Sequence, residues 1–254
     1  MLSKNTLKFI KSLQQKKFRI EEQSFFVEGA KSVLELLESD FEVTHLLYTD
    51  RFFGNHLKAI ADYKGEAYQV TEKTLEMAGS LQANDSALAV AKMKENARFS
   101  VRQNEWVLAL DDVRDPGNLG TIIRIADWYG IKKVVMSLET ADLYNPKVLQ
   151  ASMGSFTRIR FFYTDLEAYL PQSKLPLFGA FLEGESVYTS KFPNGGILVM
   201  GNESKGISAR LEKFIQHKVT IPRFGNAESL NVAVATAVIC DNILRQITTN
   251  SKNV

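Results

Sequence analysis

Apolar residues in the first hundred positions fall into two kinds of segment that alternate along the chain. Short runs rich in β-branched and aromatic residues end at glycine or polar residues, and the segments between them carry apolar residues at helical spacing. The runs predict four strands, at residues 25–28, 43–48, 67–70 and 87–93. The spaced segments predict three helices, at residues 30–38, 53–63 and 71–78. Strands that alternate with helices favour a compact α/β unit with much parallel pairing.

The polar stretch at residues 95–105 interrupts this pattern and divides the chain into two predicted domains, 1–97 and 98–254. Beyond it the alternation resumes with strongly apolar strands, at residues 106–111, 133–137, 158–163, 177–182, 196–200 and 219–221. Helices are predicted between them, at residues 119–129, within 144–153, at 207–215 and from Ser229 onward. The predicted fold class is therefore α/β, with a small α/β domain followed by a larger one built on a parallel sheet.

The last predicted helix has apolar or small residues on every side. Pro222 ends the preceding strand because proline has no N–H to continue a sheet, and Ser229 is a favourable N-cap. From residue 230 to residue 240 nearly every side chain is apolar, and Ala233 and Ala237 are small enough to let another backbone approach. A helix that is apolar all round is buried on several sides. We therefore expect a second surface to cover it, as in a subunit interface.

Polar side chains follow three of the predicted strands in the second domain. They form three pairs: Asn118 with Arg124, Asn202 with Glu203, and Ser229 with Asn231. Each pair also has a local explanation, in helix capping, in a charge that complements a helix dipole, or in an ion pair between Arg124 and Asp127. Because ligands bind beyond the carboxyl ends of parallel strands, the three pairs together predict one polar site at that edge.

Several common chemistries lack their residues in this sequence. The glycine-rich turn after the strand at 196–200 resembles a P-loop, but Ile207 occupies the position where that motif needs lysine. No G-x-G-x-x-G stretch is present for a dinucleotide. Three scattered histidines and one mid-helix cysteine, Cys240, argue against a metal site and against cysteine-based catalysis. The polar site is therefore predicted to work without a metal.

Composition adds charge and location to this picture. The 254 residues carry a formal net charge of +2, with no apolar run long enough to span a membrane and no signal-peptide pattern at the start. One cysteine fits a reducing compartment, so a cytoplasmic protein without membrane contact is expected. Residues 1–19 contain six basic side chains and no acid. We interpret this arm either as a ligand for phosphate backbones or as a solvated amphipathic helix with Leu7, Ile10 and Leu13 inward.

Three separated segments resemble the SpoU–TrmH family of RNA ribose 2′-O-methyltransferases, within the SPOUT superfamily. They read DDVRDPGNLGTIIRIAD at 111–127, LVMGNESKGIS at 198–208 and IPRFGNAESLNVAVATAV at 221–238, in the order and spacing typical of that family. The stretch KKFRIEEQSFFVEGAKSVLE at 16–35 is similar, in less detail, to the substrate-binding domain that many of these enzymes carry. The resemblance covers nearly the whole chain.

The resemblance implies a role for each polar residue and a ligand. The catalytic residues that it implies are Arg124, Asn118, Glu203, Ser229 and Asn231. The implied cofactor is S-adenosyl-L-methionine, held largely by backbone at Met200, Gly201, Asn202, Ile221, Pro222 and Leu230. The resemblance also implies an N-terminal RNA-binding domain, a C-terminal trefoil knot, and a homodimer whose sites lie at the interface.

The implied reaction is methylation of a ribose 2′-hydroxyl in structured RNA. The two-domain layout favours ribosomal RNA over transfer RNA as the partner. Arg124 is implied to activate the hydroxyl, although a guanidinium holds its proton too strongly to be a literal base. Stabilisation of the developing alkoxide and proton transfer to an RNA phosphate are the alternatives. Three other functions stay open: a transfer-RNA ribose methyltransferase, a catalytically silent RNA-binding ribosome-assembly factor, and a base-methylating relative.

Overall fold

The computed structural model describes residues 2–251, with side chains described as far as residue 249. The helices are α1 (Lys4–Ser12), α2 (Lys16–Glu22), α3 (Ala30–Leu37), α4 (Asp50–Asn55), α5 (Leu57–Asp62), α6 (Glu72–Ala78), α7 (Pro116–Trp128), α8 (Pro146–Ser152), α9 (Leu166–Tyr169), α10 (Ala209–Glu212) and α11 (Val232–Ser251). The strands are β1 (Ser24–Glu28), β2 (Val43–Tyr48), β3 (Glu66–Gln69), β4 (Ala87–Lys92), β5 (Trp106–Leu110), β6 (Lys133–Met136), β7 (Arg160–Tyr163), β8 (Leu177–Ser186), β9 (Gly196–Met200) and β10 (His217–Thr220). Short 3-10 helices occur at Ser155–Arg158 and Leu170–Gln172.

The described residues fall into two compact units. Unit 1 contains the residues up to Glu95 together with the segment Asp142–Thr157. Unit 2 contains Asn96–Ala141 and the residues from Arg158 onward. The break at residues 95–96 lies inside the polar stretch where the sequence analysis divides the chain. The second unit is therefore interrupted by a segment that packs with the first.

The segment Asp142–Thr157, which the sequence analysis places in the second domain, packs in unit 1 through an aromatic contact and an ion pair. The ring of Tyr144 lies 4.7 Å from that of Phe25. Asp142 Oδ2 lies 2.6 Å from Nη2 of Arg19, whose side chain is almost fully buried. Both partners are more than one hundred positions away in the sequence, so local patterns carry no signal for this packing.

Unit 1 is built on a mixed four-stranded sheet with the order β1-β4-β2-β3. β4 is antiparallel to both β1 and β2, and β2 is parallel to β3. The prediction of much parallel pairing is therefore wrong for this unit, because β4 enters the middle of the sheet against the direction of its neighbours. Ile10 and Leu13 pack into the core with Leu75 of α6 and are fully buried. This burial confirms the apolar stripe predicted for α1.

Unit 2 is built on a six-stranded sheet with the order β10-β8-β9-β5-β6-β7, and every pairing in it is parallel. The predicted parallel sheet is confirmed. The neighbouring strands β5 and β9 are buried at every residue, which explains their unbroken apolar sequences. All six strands end on the same side of the sheet, and we call that side the carboxyl edge.

The bounds of two helices differ from the prediction. Asp115, not Asn118, caps α7: its Oδ1 accepts the Asn118 N–H at 2.7 Å. Pro116 follows in the first turn, where its missing N–H is not needed. Asn118 thus lies inside the helix, and its side chain is available for other contacts. α10 is a single turn, Ala209–Glu212, rather than the helix predicted at 207–215.

The last helix begins after Asn231 and not after Ser229. Asn231 Oδ1 accepts the backbone N–H of Ala233 at 2.9 Å and so acts as the N-cap. Ala233 is only 3 % exposed, so this residue is covered within the chain and not by a second subunit. Val234 is 50 % exposed and provides an open apolar position near the start of α11.

Candidate active site

Segments that follow three of the strands bring three polar side chains together at the carboxyl edge. Asn118 lies beyond β5, Glu203 beyond β9 and Asn231 beyond β10. Asn118 Nδ2 donates a hydrogen bond to Glu203 Oε1 at 2.9 Å. Asn231 Nδ2 donates a hydrogen bond to Asn118 Oδ1 at 2.8 Å. We call these three residues the polar network; they are three of the five side chains that the sequence analysis assigns to catalysis.

The direction of the polar network is fixed by the start of α11. The Asn231 oxygen accepts from the N–H groups of Ala233 and Val234, at 2.9 and 3.3 Å. Its amide nitrogen must therefore point towards Asn118, whose own nitrogen then points towards Glu203. Helix capping and contact with a polar site are the two explanations that the sequence leaves open for Asn231. Both apply, because the side-chain oxygen caps α11 and the side-chain nitrogen contacts Asn118. The consequence is a chain of oriented donors that ends on a carboxylate.

The other two predicted catalytic residues lie outside the polar network. Arg124 is exposed on α7, and no hydrogen bond or ion pair joins its side chain to another described residue. The alternative partner, Asp127, is bound instead to Arg158 at 2.8 Å and lies 3.9 Å from Lys132. Ser229 is exposed, and no hydrogen bond to it occurs within the described residues. Arg124 is therefore a free cation on the face of α7 that points away from the core.

The loop that carries Glu203 is closed by its own backbone. Asn202 and Gly206 exchange two backbone hydrogen bonds, at 3.0 and 2.9 Å. A side chain at Gly201 would lie 2.1 Å from the carbonyl carbon of Gly206, so only glycine allows this approach. Asn202 Nδ2 donates to the carbonyl oxygen of Asp112 at 2.8 Å. The Asn202 side chain thus holds the loop to the end of β5.

A buried carboxylate holds the far end of the same loop. Asp111 is 1 % exposed, and its Oδ2 accepts the backbone N–H of Ser208 at 2.7 Å. Its Oδ1 and the Ser208 Oγ are buried without a hydrogen-bond partner among the residues described. Asp111 and Asp112 together therefore fix both ends of the loop after β9. From the sequence, Asp111 was expected only to end the strand at 106–111, although a carboxylate at the end of a buried strand was a usable signal.

Asp112 also fixes an arginine at the carboxyl edge. Its φ of 59° is left-handed, a conformation that aspartate tolerates better than most residues. Arg114 Nε donates to Asp112 Oδ1 at 2.6 Å, and this hydrogen bond raises the pKa of Arg114. The guanidinium itself is mostly exposed. Neither residue was expected from the sequence to take part in the site.

The segment between β10 and α11 has the features of a ligand-binding loop. It has no regular secondary structure, and the backbone groups of Ile221 and Leu230 form no hydrogen bonds with other described residues. The Leu230 side chain is 50 % exposed. Pro222 lies beside Ile221, and Met200 ends β9 with its carbonyl oxygen bound to the Asp111 N–H at 2.9 Å. Free backbone donors and acceptors beside an exposed leucine suit a flat heteroaromatic ring with a polar rim.

Other reactive groups are absent from this site within the described range. Burial raises the pKa of Cys240 to about 12, so its thiol is a poor nucleophile. No cluster of three or more histidine, cysteine or acidic side chains is arranged to hold a metal ion in residues 2–251. The same residues contain no helix with the length and hydrophobicity of a membrane span. The chemistry available here is that of amides, a carboxylate and arginines.

The fold is that of the SpoU methylases. Residues 105–241 match the model of the SpoU rRNA Methylase family. Residues 4–89 match the model described as an MRM3-like substrate binding domain. The chain belongs to the SpoU rRNA methylase family, and the resemblance noted in the sequence is confirmed.

Particular relatives extend this similarity over both units. The chain is 32 % identical over 240 residues to the 23S rRNA (guanosine(2553)-2′-O)-methyltransferase RlmP of Bacillus subtilis, covering 90 % of this chain and 92 % of that one. A TrmH-family protein of known structure from Porphyromonas gingivalis is 35 % identical, with a TM-score of 0.86 over 97 % of this chain and 99 % of that one. The methyltransferase AviRb of Streptomyces viridochromogenes, solved with AdoMet, is 25 % identical with a TM-score of 0.84, over 97 % and 99 % of the two chains. The chain is an enzyme of this methyltransferase class.

Proposed function

We propose that this protein methylates a ribose 2′-hydroxyl in ribosomal RNA, with S-adenosylmethionine as the methyl donor. The observation that carries the proposal is the polar network of Asn118, Glu203 and Asn231 at the carboxyl edge of a parallel sheet. The names of relatives support the substrate, because RlmP acts on a guanosine of 23S rRNA and RlmB proteins on a guanosine of the same RNA. A base-methylating enzyme is disfavoured, because these relatives are named for the 2′-oxygen.

The residues present fit the cofactor. Ile221 and Leu230 offer free backbone groups, and the exposed Leu230 side chain offers an apolar surface for an adenine ring. Met200 ends β9 and Gly201 follows it, while Pro222 lies in the segment after β10, so all three belong to the carboxyl edge of the same sheet. When bound, S-adenosylmethionine supplies an electrophilic methyl group on a sulfonium centre. The protein's part is then to place the ribose, to exclude competing water and to help the hydroxyl lose its proton.

Arg124 is the residue that we assign to the hydroxyl. A guanidinium is a permanent positive charge in proteins, so we assign Arg124 an electrostatic role rather than that of a base. A positive charge beside the 2′-oxygen stabilises the negative charge that develops as the proton leaves. An RNA phosphate is the proton acceptor that this assignment requires. The polar network holds Asn118 in the first turn of the same helix, and so supports the surface from which Arg124 projects.

Replacing Leu230 by aspartate is expected to weaken S-adenosylmethionine binding by at least about tenfold, because a carboxylate removes the apolar surface from the ring. The fold should tolerate the change, since Leu230 is half exposed. Isothermal calorimetry measures the affinity directly. Leu57→Asp, at a leucine of unit 1 with 55 % exposure, is the matched control and should bind like the parent. Equal S-adenosylmethionine affinities for the two variants would show that Leu230 does not contact the cofactor.

The proposed RNA class is tested by labelling. The protein is incubated with methyl-labelled S-adenosylmethionine and with separated fractions of 23S, 16S and transfer RNA that lack their native methyl groups. Label in a ribosomal fraction supports the proposal. Label in transfer RNA alone would favour the transfer-RNA alternative. Binding of RNA without any transfer of label would favour a silent assembly factor.

The basic arm is a further candidate for RNA contact. Lys4, Lys8 and Lys11 lie one helical turn apart on α1, are exposed, and form no ion pair with another described residue. Arg19, which the sequence analysis counted with them, is buried and bonded to Asp142 and to two carbonyl oxygens, so it does not belong to this surface. The helix α1 is amphipathic, which agrees with the second interpretation of the arm. Its polar face carries these three lysines in a row, without ion-pair partners among the described residues. Such a row suits an RNA backbone.

Replacing Lys4, Lys8 and Lys11 by glutamine is expected to weaken RNA binding and to flatten its salt dependence, because fewer counterions are released. The slope of log affinity against log salt should fall by about 0.7 for each phosphate that the variant no longer binds. The matched control replaces three exposed lysines of unit 2: Lys132, Lys174 and Lys191. A slope that falls equally in the two variants would make the effect one of net charge alone.

We also propose that the protein is a homodimer. Trp128 is 83 % exposed on α7 beside Arg124, and Val234 is 50 % exposed on α11. Exposed apolar side chains of this size are typical of surfaces that a partner covers. Within one chain Arg124 reaches no member of the polar network, and a second copy would complete the site. The trefoil knot and a cytoplasmic location stay predictions.

The parent protein is expected to sediment with about twice the mass of the 28.6 kDa chain. Val234→Glu should give monomers, because the new charge would be buried at the interface. Its unfolding free energy should change little, since the position is half exposed in one chain. Leu182→Glu, at a leucine of β8 with 75 % exposure, is the control and should stay dimeric. A fully active monomeric parent would exclude this dimer.

A further inference from the structure

We propose that Arg114 binds a backbone phosphate of the RNA close to the target ribose, and that Asp112 holds the guanidinium ready for it. The inference rests on the proposed function, since it requires an RNA substrate at the carboxyl edge. It adds a substrate-binding residue and a positioning residue to a site where neither has been assigned a role.

The hydrogen bonds of Arg114 leave most of its donors free. Its Nε donates to Asp112 Oδ1 at 2.6 Å, and the side chain is 65 % exposed. No other hydrogen bond of Arg114 occurs within the part of the chain that the structure describes. A guanidinium has five N–H donors in a planar fork. Both terminal NH₂ groups are thus available, in the geometry that binds phosphate oxygens.

The residue that holds Arg114, Asp112, is itself fixed through its backbone N–H and carbonyl groups. The Asp112 N–H donates to Ser137 Oγ at 3.0 Å, beyond the end of β6. Its carbonyl oxygen accepts from Asn202 Nδ2 at 2.8 Å, beyond the end of β9. Asp112 is therefore tied to the neighbouring strand on each side of β5. Because Asp112 is held in place, its hydrogen bond restricts the Arg114 side chain to few orientations. Less side-chain entropy is then lost when Arg114 binds a ligand.

The position of Arg114 places the free donors at the site. Arg114 follows β5 and directly precedes Asp115, the cap of α7. Asn118, a member of the polar network, lies about one helical turn further along the chain. Another arginine at this edge is occupied: Arg210 faces Glu139 at 3.7 Å. The competing explanation is an ordinary surface ion pair, which would contribute little to stability and nothing to RNA binding. The two explanations differ in what happens to RNA affinity.

The first test measures the affinity of a ribosomal RNA fragment over a range of salt concentrations. Arg114→Ala should weaken binding by about fivefold and lower the salt slope by about 0.7 to 0.9, which corresponds to one bound phosphate fewer. Arg114→Lys should restore most of the slope, because a lysine still supplies the charge. S-adenosylmethionine affinity should not change. Arg160→Ala removes an exposed arginine at the start of β7, the opposite edge of the same sheet, and should bind and methylate RNA like the parent.

The second test separates positioning from net charge. Asp112→Gly keeps the left-handed backbone and its two backbone hydrogen bonds, because glycine adopts this φ without strain. Removal of a negative charge would by itself tighten RNA binding, whereas loss of the support for Arg114 would weaken it. We expect weaker binding, by about threefold, and no additional weakening when Arg114→Ala is combined with it.

The outcomes distinguish this inference from the proposed function. An unchanged salt slope in Arg114→Ala, or tighter binding in Asp112→Gly, would overturn the inference while methylation by the parent still supported the proposed function. If neither the parent nor Arg160→Ala methylates RNA, the proposed function itself fails, and the inference fails with it.

Discussion

Replacing Arg124 by alanine is expected to reduce methyl transfer by at least about 10²-fold, the scale of removing one charged group from a preorganised site. The side chain is exposed and is bound to no other described residue, so folding has little dependence on it. The unfolding free energy should therefore stay within about 1 kcal/mol of the parent value. S-adenosylmethionine affinity should also be retained, because the residues that fit the cofactor follow β9 and β10 and not α7.

Single-turnover methylation with saturating donor and RNA measures this effect without a contribution from binding. Arg124→Lys should fail as well, because an ammonium does not reproduce the planar fork of the guanidinium. Arg160→Ala, an exposed arginine at the other edge of the sheet, serves as the control and should keep its rate. Activity of Arg124→Ala within a few-fold of the parent would reduce Arg124 to an ordinary surface arginine.

Replacing Asn231 by aspartate should separate the two roles of this residue. Aspartate is as good an N-cap as asparagine, so α11 should keep its stability. The new carboxylate oxygen would face Asn118 Oδ1, 2.8 Å from the present donor, and acceptor would meet acceptor. We expect methyl transfer to fall by about tenfold or more while the unfolding free energy changes by less than about 1 kcal/mol.

Asn231→Ala provides the comparison for that result. It removes the cap as well as the hydrogen bond to Asn118, and should lose about 1 kcal/mol of stability in addition to activity. Urea unfolding and single-turnover rates on both variants give the two quantities. An aspartate variant with the parent rate would show that the Asn231–Asn118 hydrogen bond has no part in catalysis.

The parallel sheet could be predicted because its central strands are buried on both faces. Residues 106–110 and 196–200 are uninterrupted apolar runs, and such runs occur where helices cover both sides of a sheet. The polar pairs after these two strands, and the pair after the strand at 219–221, then had to lie at one edge. The sequence therefore places Asn118, Glu203 and Asn231 at one edge of the sheet, although it does not reveal the hydrogen bonds between them.

The helix caps could not be predicted with the same certainty, because several good caps stand close together. Asp115 precedes Asn118 by three residues, and Ser229 precedes Asn231 by two. In each case both candidates have a side-chain oxygen that can accept a backbone N–H. Tertiary contacts decide between them: Asn118 is bound to Glu203, and Asn231 must point one end of its amide to Asn118.

Contacts between residues far apart in the sequence account for the remaining differences. The reversed direction of β4, the packing of Asp142–Thr157 in unit 1 and the burial of Ala233 all depend on partners that local patterns do not reveal. The role of Asp111 has the same origin, because its partner is the backbone of Ser208. These are tertiary effects that override or add to local propensity.

The most direct test of the proposed reaction is the chemical position of the transferred methyl group. Ribosomal RNA methylated by the protein with labelled S-adenosylmethionine is hydrolysed in alkali, which cleaves the chain only where a 2′-hydroxyl is free. A ribose 2′-O-methyl group blocks cleavage, so the label should appear in an alkali-resistant dinucleotide, and Arg124→Ala should yield almost none. Label recovered in mononucleotides would place the methyl group on a base and would contradict the account.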